Sequence, residues 1–188
     1  MKFILDTSRP LAATYFTEDG MPAYRIGFAP GTTGIFDQQR TQQVEKMDSK
    51  SGHFLPYAEY QLHSFRPDRL KMGTTFDEGA DSIFRREWGA ANAGDDRIFV
   101  GLDDKEYRWK ARMQKSELVL NDGSDTLVAK FHRKRYKVLW MGESRPASFD
   151  ILPAGEHMVD LIMFTYAYVE RKREQYQEAQ RRRRRTNA

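Results

Sequence analysis

Two groups of basic residues have the clearest chemical capacity in this sequence. The first is Lys130, Arg133, Lys134, Arg135 and Lys137, with His132 among them. The second is the unbroken run Arg181, Arg182, Arg183, Arg184 and Arg185. Clustered guanidinium and ammonium groups donate charge-assisted hydrogen bonds to phosphate and carboxylate oxygens. The first group straddles a strand pair. There it serves to bind the phosphates of a lipid or nucleotide, or alternatively to keep a hairpin end solvated. The arginine run attracts anionic lipid at about 1 kcal/mol per residue near a membrane surface. Its alternatives are attraction to nucleic acid, a nuclear import signal, or an unordered terminus. Tyr176 is the one aromatic residue in the tail. Base stacking therefore has little support, and nucleic acid is not the expected partner.

Other chemistries find no footing. The chain has no cysteine, which removes disulfides, thiolate nucleophiles and cysteine-based zinc sites. Its four histidines are His53, His63, His132 and His157. His53 and His63 have no acidic partner at ligand spacing, so no metal is expected. No G-x-S-x-G, H-E-x-x-H or phosphate-loop motif occurs, and no cofactor is expected. The pairs Asp95-Asp96 and Asp103-Asp104 lie in turn sequences, where turn chemistry accounts for them better than a glycosidase-like carboxylate pair. No nucleophile, base and orienting group can be assembled, and a non-catalytic protein is expected.

The charge is unevenly spread. Residues 170–188 hold eight Lys/Arg and three Glu, a net +5, while the other 169 residues hold 23 basic and 24 acidic ones, a net −1. Any electrostatic attraction to a partner is thus expected from the C-terminal end.

The elements that must position these groups read as follows. The length of 188 residues suits one domain. Strands are expected over residues 13–17 and around Tyr24, Ile26 and Phe28, with a weaker one over 41–47 and another over 59–65. Residues 66–96 read as irregular, punctuated by Pro67, Gly73, Gly79, Gly89 and Gly94. Further strands are expected over 98–102, 107–113, 117–120 and 127–131, around Tyr136, Val138 and Trp140, and at Phe149 and Ile151. The turn sequence 121–125 separates two of them. Tyr107, Trp109, Leu127, Ala129, Val138 and Trp140 lie on the apolar phase and are expected to point inward. Trp88 is assigned to the core as well. A helix is expected from about residue 156. Its first part, 158–169, is apolar nearly all round, interrupted by Asp160 and Thr165. A surface helix would show a polar stripe. At twelve residues the segment is too short for a bilayer, which takes about 20. It is therefore expected inside a strongly curved sheet, with its polar half from Glu170 onward projecting into water.

The sequence from Gly101 to Lys110 resembles the "G-x-D-G-x-x-Y-x-W" strand-turn-strand of an uncharacterised fungal domain family, DUF6593. The similarity continues through Leu118-Val119-Leu120, Val128-Ala129-Lys130-Phe131, Pro153-Ala154-Gly155, Thr165-Tyr166 and Val169-Glu170-Arg171-Lys172-Arg173. It is close over residues 97–173 and looser over 10–65. Asp104 stands where the family pattern has Gly, and the five arginines lie outside the pattern. The family's layout is similar to the tubby, LURP-one and phospholipid-scramblase barrels. The resemblance implies a mainly β protein, an antiparallel β-barrel closed around a hydrophobic C-terminal helix. It also implies a phosphoinositide or other anionic membrane lipid as ligand.

Three functional expectations follow. The first is a non-catalytic barrel over residues 1–173, with the helix about 156–173 at its centre and a basic helical extension and tail over 174–188, that binds anionic membrane lipid or a phosphorylated ligand. The second is a protein-interaction module acting through the helix or tail. The third and weakest is an enzyme of unknown reaction. The expected compartment is the cytoplasm, with the nucleus as the alternative offered by the arginine run.

Overall fold

The computed structural model describes residues 1–29, 41–63, 67–73, 76–87, 95–111, 116–135 and 144–186. Among the described residues thirteen strands form one antiparallel sheet. In chain order they are β1 Lys2–Leu5, β2 Ala13–Thr17, β3 Pro22–Phe28, β4 Thr41–Met47, β5 Phe54–Gln61, β6 Arg69–Met72, β7 Phe76–Gly79, β8 Arg85–Glu87, β9 Asp96–Val100, β10 Glu106–Ala111, β11 Ser116–Leu120, β12 Leu127–His132 and β13 Ser148–Ile151. Neighbours in the sequence are neighbours in the sheet, with two exceptions. β1 pairs with β13 (Phe3 opposite Phe149), which joins the N-terminal half to the C-terminal half. β7 and β8 are the two edges, linked by one helical turn, α1 Ala80–Ile83.

Turn chemistry sets the hairpins. Gly20, Gly52 and Gly123 take positive φ at the β2–β3, β4–β5 and β11–β12 turns, and Asp104 and Asp125 do so as non-glycines. Asp104, at φ 59°, adopts the left-handed conformation that the family pattern gives to Gly. Gly101 is required for a different reason: a Cβ there would lie 2.4 Å from the Tyr107 ring.

The chain then passes through a 3-10 segment, Pro153–Met158, into α2 Val159–Thr186. Regular helix thus begins three residues later than the sequence suggests. Gly155 packs where a Cβ would meet Ile162 and Val128 at 2.7 Å. Every residue of α2 from Ile162 to Glu170 is buried. Its partners come from both halves of the sheet. Tyr60 of β5 donates to the Phe164 carbonyl at 2.8 Å, and Trp109 Nε1 of β10 donates to Thr165 Oγ1 at 3.0 Å. The Tyr166 ring lies 4.4 Å from Phe149 of β13 and 6.2 Å from Phe131 of β12. Phe84, just after α1, stacks on Tyr168 at 5.2 Å. An all-apolar helix is stable here because aromatic side chains from opposite stretches of one sheet cover it. Among the described residues no helix is long and apolar enough to cross a membrane.

Tyr107, Trp109 and Ala129 are buried as the alternation requires. Leu127 departs from it. The β11–β12 register slips between Leu118 and Val119, so Val128 is the extra residue and takes the buried position, while Leu127 stays half-buried. Val138, Trp140 and Trp88 lie outside the described residues. The stretch read as irregular contains β6, β7, α1 and β8. These strands are three or four residues long, too short to show a period. β1, four residues long, shows no period for the same reason. β5 starts five residues before its expected position because Pro56 masks it. The strand tolerates that proline at a register shift opposite Val44 and Glu45.

Candidate anion-binding cleft at the helix exit

α2 leaves the sheet at the end formed by the β1–β2 loop and the end of β12. The loop is held from within. The Tyr15 hydroxyl donates to the Pro10 carbonyl at 2.8 Å, Gln42 Nε2 donates to the Leu11 carbonyl at 3.1 Å, and the Thr7 hydroxyl donates to the Ala12 carbonyl at 3.0 Å. These bonds present Arg9 outward, beside the helix. Across from it, β12 ends after buried Phe131, and the chain continues through Arg133 and Lys134. Between loop, strand end and helix lies a cleft of about 530 Å³. Arg9, Arg133, Lys134 and Arg181 line it on one side of the charge balance, and Glu170, Glu174 and Glu178 on the other.

The floor is a buried ion pair. Glu170 is fully enclosed, and Arg173 is 6% exposed. Arg173 Nε donates to Glu170 Oε2 at 2.9 Å, a second guanidinium nitrogen contacts Oε1, and the Ser116 hydroxyl donates to Oε2 at 2.7 Å. Burial alone would lower the Arg173 pKa; the Glu170 carboxylate outweighs it and holds the guanidinium charged. Glu174 is pushed toward its neutral form. Burial and the nearby Glu170 charge raise its carboxyl above the ordinary range, against the pull of Arg171 and Arg173.

The cleft brings together Arg133 and Lys134 from the first basic group and Arg181 from the second. The other candidates lie elsewhere. Lys130 alternates with inward Ala129 and Phe131, and its ammonium pairs with Glu117 at 3.1 Å. Arg135 is exposed, and its backbone forms a bridge with Arg145 through two 3.0 Å bonds. Lys137 lies outside the described residues. Arg182, Arg183, Arg184 and Arg185 continue α2 past the cleft, fully in solvent. The tail is therefore helical through Thr186.

Two features escaped the sequence reading. Arg9 lies far from every other cleft residue along the chain, and no local signal marks it. Glu170 and Arg173 carried one: with Ile162 and Tyr166 they recur at helical spacing, on a face that stays enclosed. The helix becomes exposed only near Glu178, so its polar half begins inside the protein and not in water. This also changes the charge count. Lys172 pairs with buried Asp68 at 2.5 Å, Arg173 with Glu170, and Arg171 with Glu174 at 3.5 Å. What the tail offers to a partner is arginines 181–185.

Remaining clusters have structural uses. Asp103 accepts the Tyr107 hydroxyl at 3.1 Å and pairs with Lys105 at 3.1 Å, which braces the β9–β10 turn. His132 faces Asp150 at 3.1 Å, and His157 faces Asp103 at 3.7 Å. Among the described residues no three His, Asp or Glu side chains converge as a metal site.

The family described as "Family of unknown function (DUF6593)" matches residues 8–175 of the chain. No curated protein and no solved structure was found to match.

Proposed function

Because the chain belongs to the DUF6593 family, whose function is unknown, we propose on the geometry alone that it is a non-catalytic lipid-binding module that takes a phosphate-bearing headgroup in the helix-exit cleft. In this reading the sheet acts as a tubby-like barrel, with α1 spanning its seam and α2 as its core, at an intracellular membrane surface. One observation carries the reading. Arg9, Arg133 and Arg181 come from three separate stretches of chain, line one cleft, and have no ion-pair partner among the described residues. Guanidiniums gathered without carboxylate partners are suited to bidentate phosphate binding.

The arginines 181–185 supply a second, non-specific term. Successive helical residues are turned by about 100°, so roughly three of the five can face a flat surface together. At about 1 kcal/mol each this adds some 3 kcal/mol, about a hundredfold in partitioning. That term decays with the Debye length, about 10 Å at 0.1 M salt and 3 Å at 1 M.

Flotation with phosphatidylcholine vesicles, with and without an anionic lipid, tests both terms at low and high salt. Removing residues 182–188, which spares Arg181 of the cleft, is expected to weaken binding and most of its salt dependence while leaving headgroup preference. Arg9→Ala with Arg133→Ala is expected to remove the preference. Vesicle binding unchanged by both variants would overturn the proposal. Absence of binding by the intact protein would favour a protein-interaction module instead.

A further inference from the structure

The charges of the cleft are ordered, and the order selects a ligand. Glu170, Glu174 and Glu178 recur every four residues along one face of α2, with Arg181 next toward the tail. Exposure rises in the same direction: Glu170 is fully buried, the Glu174 side chain is 34% exposed, and Glu178 and Arg181 lie in solvent. Arg9 and Arg133 are exposed at the same mouth. Along α2 the cleft therefore runs from the Glu170–Arg173 floor past two further carboxylates to a basic rim.

Arg173 cancels Glu170 on the floor. Glu174 has one arginine at 3.5 Å, and Glu178 has no ion-pair partner among the described residues. A ligand entering from the rim thus meets cations first and the Glu174 and Glu178 carboxylates second, of which only Glu174 has an arginine beside it. An inositol phosphate held by the rim would direct its outermost phosphates toward Glu174, like charge against like. A headgroup with phosphate nearest the membrane and a primary ammonium at its tip presents the complementary order. An ethanolamine chain spaces its two charges by about one helical turn, roughly 5 Å. Glu174 and Glu178 are one turn apart and Arg181 another turn beyond, so both charges reach their partners together.

We infer that the cleft binds an amino-phosphate headgroup of the phosphoethanolamine class, with its phosphate on Arg9, Arg133 and Arg181 and its ammonium between Glu174 and Glu178. This rests on the preceding reading of the cleft as a phosphate site and narrows it. The ammonium is the discriminating group: its N–H bonds are donated to the two carboxylates, and a trimethylammonium has none to donate.

The test compares glycerophosphoethanolamine with glycerophosphocholine by calorimetric titration of the full chain, and vesicles of phosphatidylcholine with and without phosphatidylethanolamine by flotation. Each pair has equal net charge, so general electrostatics cannot separate its members. The ammonium form is expected to bind at least tenfold more tightly, the scale of one charge-assisted hydrogen bond. Glu174→Gln with Glu178→Gln is expected to erase that preference, and exposed Glu178→Gln alone to reduce it with an unchanged melting temperature. Preference in solution and on vesicles identifies a lipid headgroup. Preference in solution only identifies a free amino-phosphate; both outcomes support the inference. Equal binding of the two headgroups, or a preference that survives the double glutamine variant, overturns it. If Arg9→Ala with Arg133→Ala still removes the preference for vesicles containing the anionic lipid in that case, the phosphate site stands and only the ammonium assignment fails.

Discussion

Replacing Arg173 with Met tests whether the cleft floor is a buried charge pair on which the fold depends. Met keeps much of the arginine stem's volume and removes the guanidinium. Glu170, fully buried, would then keep the Ser116 hydroxyl as its one side-chain donor among the described residues. Breaking one member of a buried pair costs about 3–5 kcal/mol, because the remaining charge has neither water nor counter-ion. For a chain of this size each kcal/mol shifts the melting temperature by about 2–4 °C, so a fall of roughly 6–20 °C is expected. Adding Glu170→Gln removes the orphaned charge while leaving an acceptor for Ser116. The double variant should then recover to within about 1–2 kcal/mol of the parent. Urea unfolding followed by circular dichroism measures this through the midpoint at constant slope. A loss below about 1 kcal/mol for Arg173→Met would match an exposed pair and refute the reasoning. So would a double variant as unstable as the sum of its parts.

Two further outcomes are expected. Ile162→Lys places a charge at a fully buried position and should abolish soluble folding, whereas Leu161→Lys, on a half-buried face, should yield folded protein of reduced melting temperature; equal solubility and melting of both variants would contradict the placement of α2. Burial holds the Tyr15, Tyr60 and Tyr166 phenols well above their ordinary value near 10, and Tyr57 is pushed up to about 12 by burial and by Asp160. Groups raised in this way contribute stability that is intact below pH 10 and lost as pH climbs beyond it. Phenolate absorbance should therefore appear together with unfolding in an alkaline titration, and phenolate formed while the fold persists would argue against enclosed tyrosines.

What the sequence determined by itself were features with a local period or a local steric rule. The two-residue alternation placed Tyr107, Trp109 and Ala129 inside, the turn sequence 121–125 separated β11 from β12, and the nearly all-apolar first part of α2 required a surrounding sheet. In the described residues, antiparallel neighbours that follow chain order are what such a string of hairpins produces. The tertiary structure alone decided whatever depends on residues far apart in the chain. It paired β1 with β13, and it turned Val128 inward in place of Leu127, because a register shift is set by the partner strand. It also separated the basic residues of the C-terminal third into used and available charge. Lys130, Lys172 and Arg173 are taken by Glu117, Asp68 and Glu170, while Arg133 and Arg181 meet Arg9 at one cleft. A sequence lists charges, but pairing depends on distances of a few ångströms, and those exist only once the sheet has wrapped the helix and brought its loops to one end.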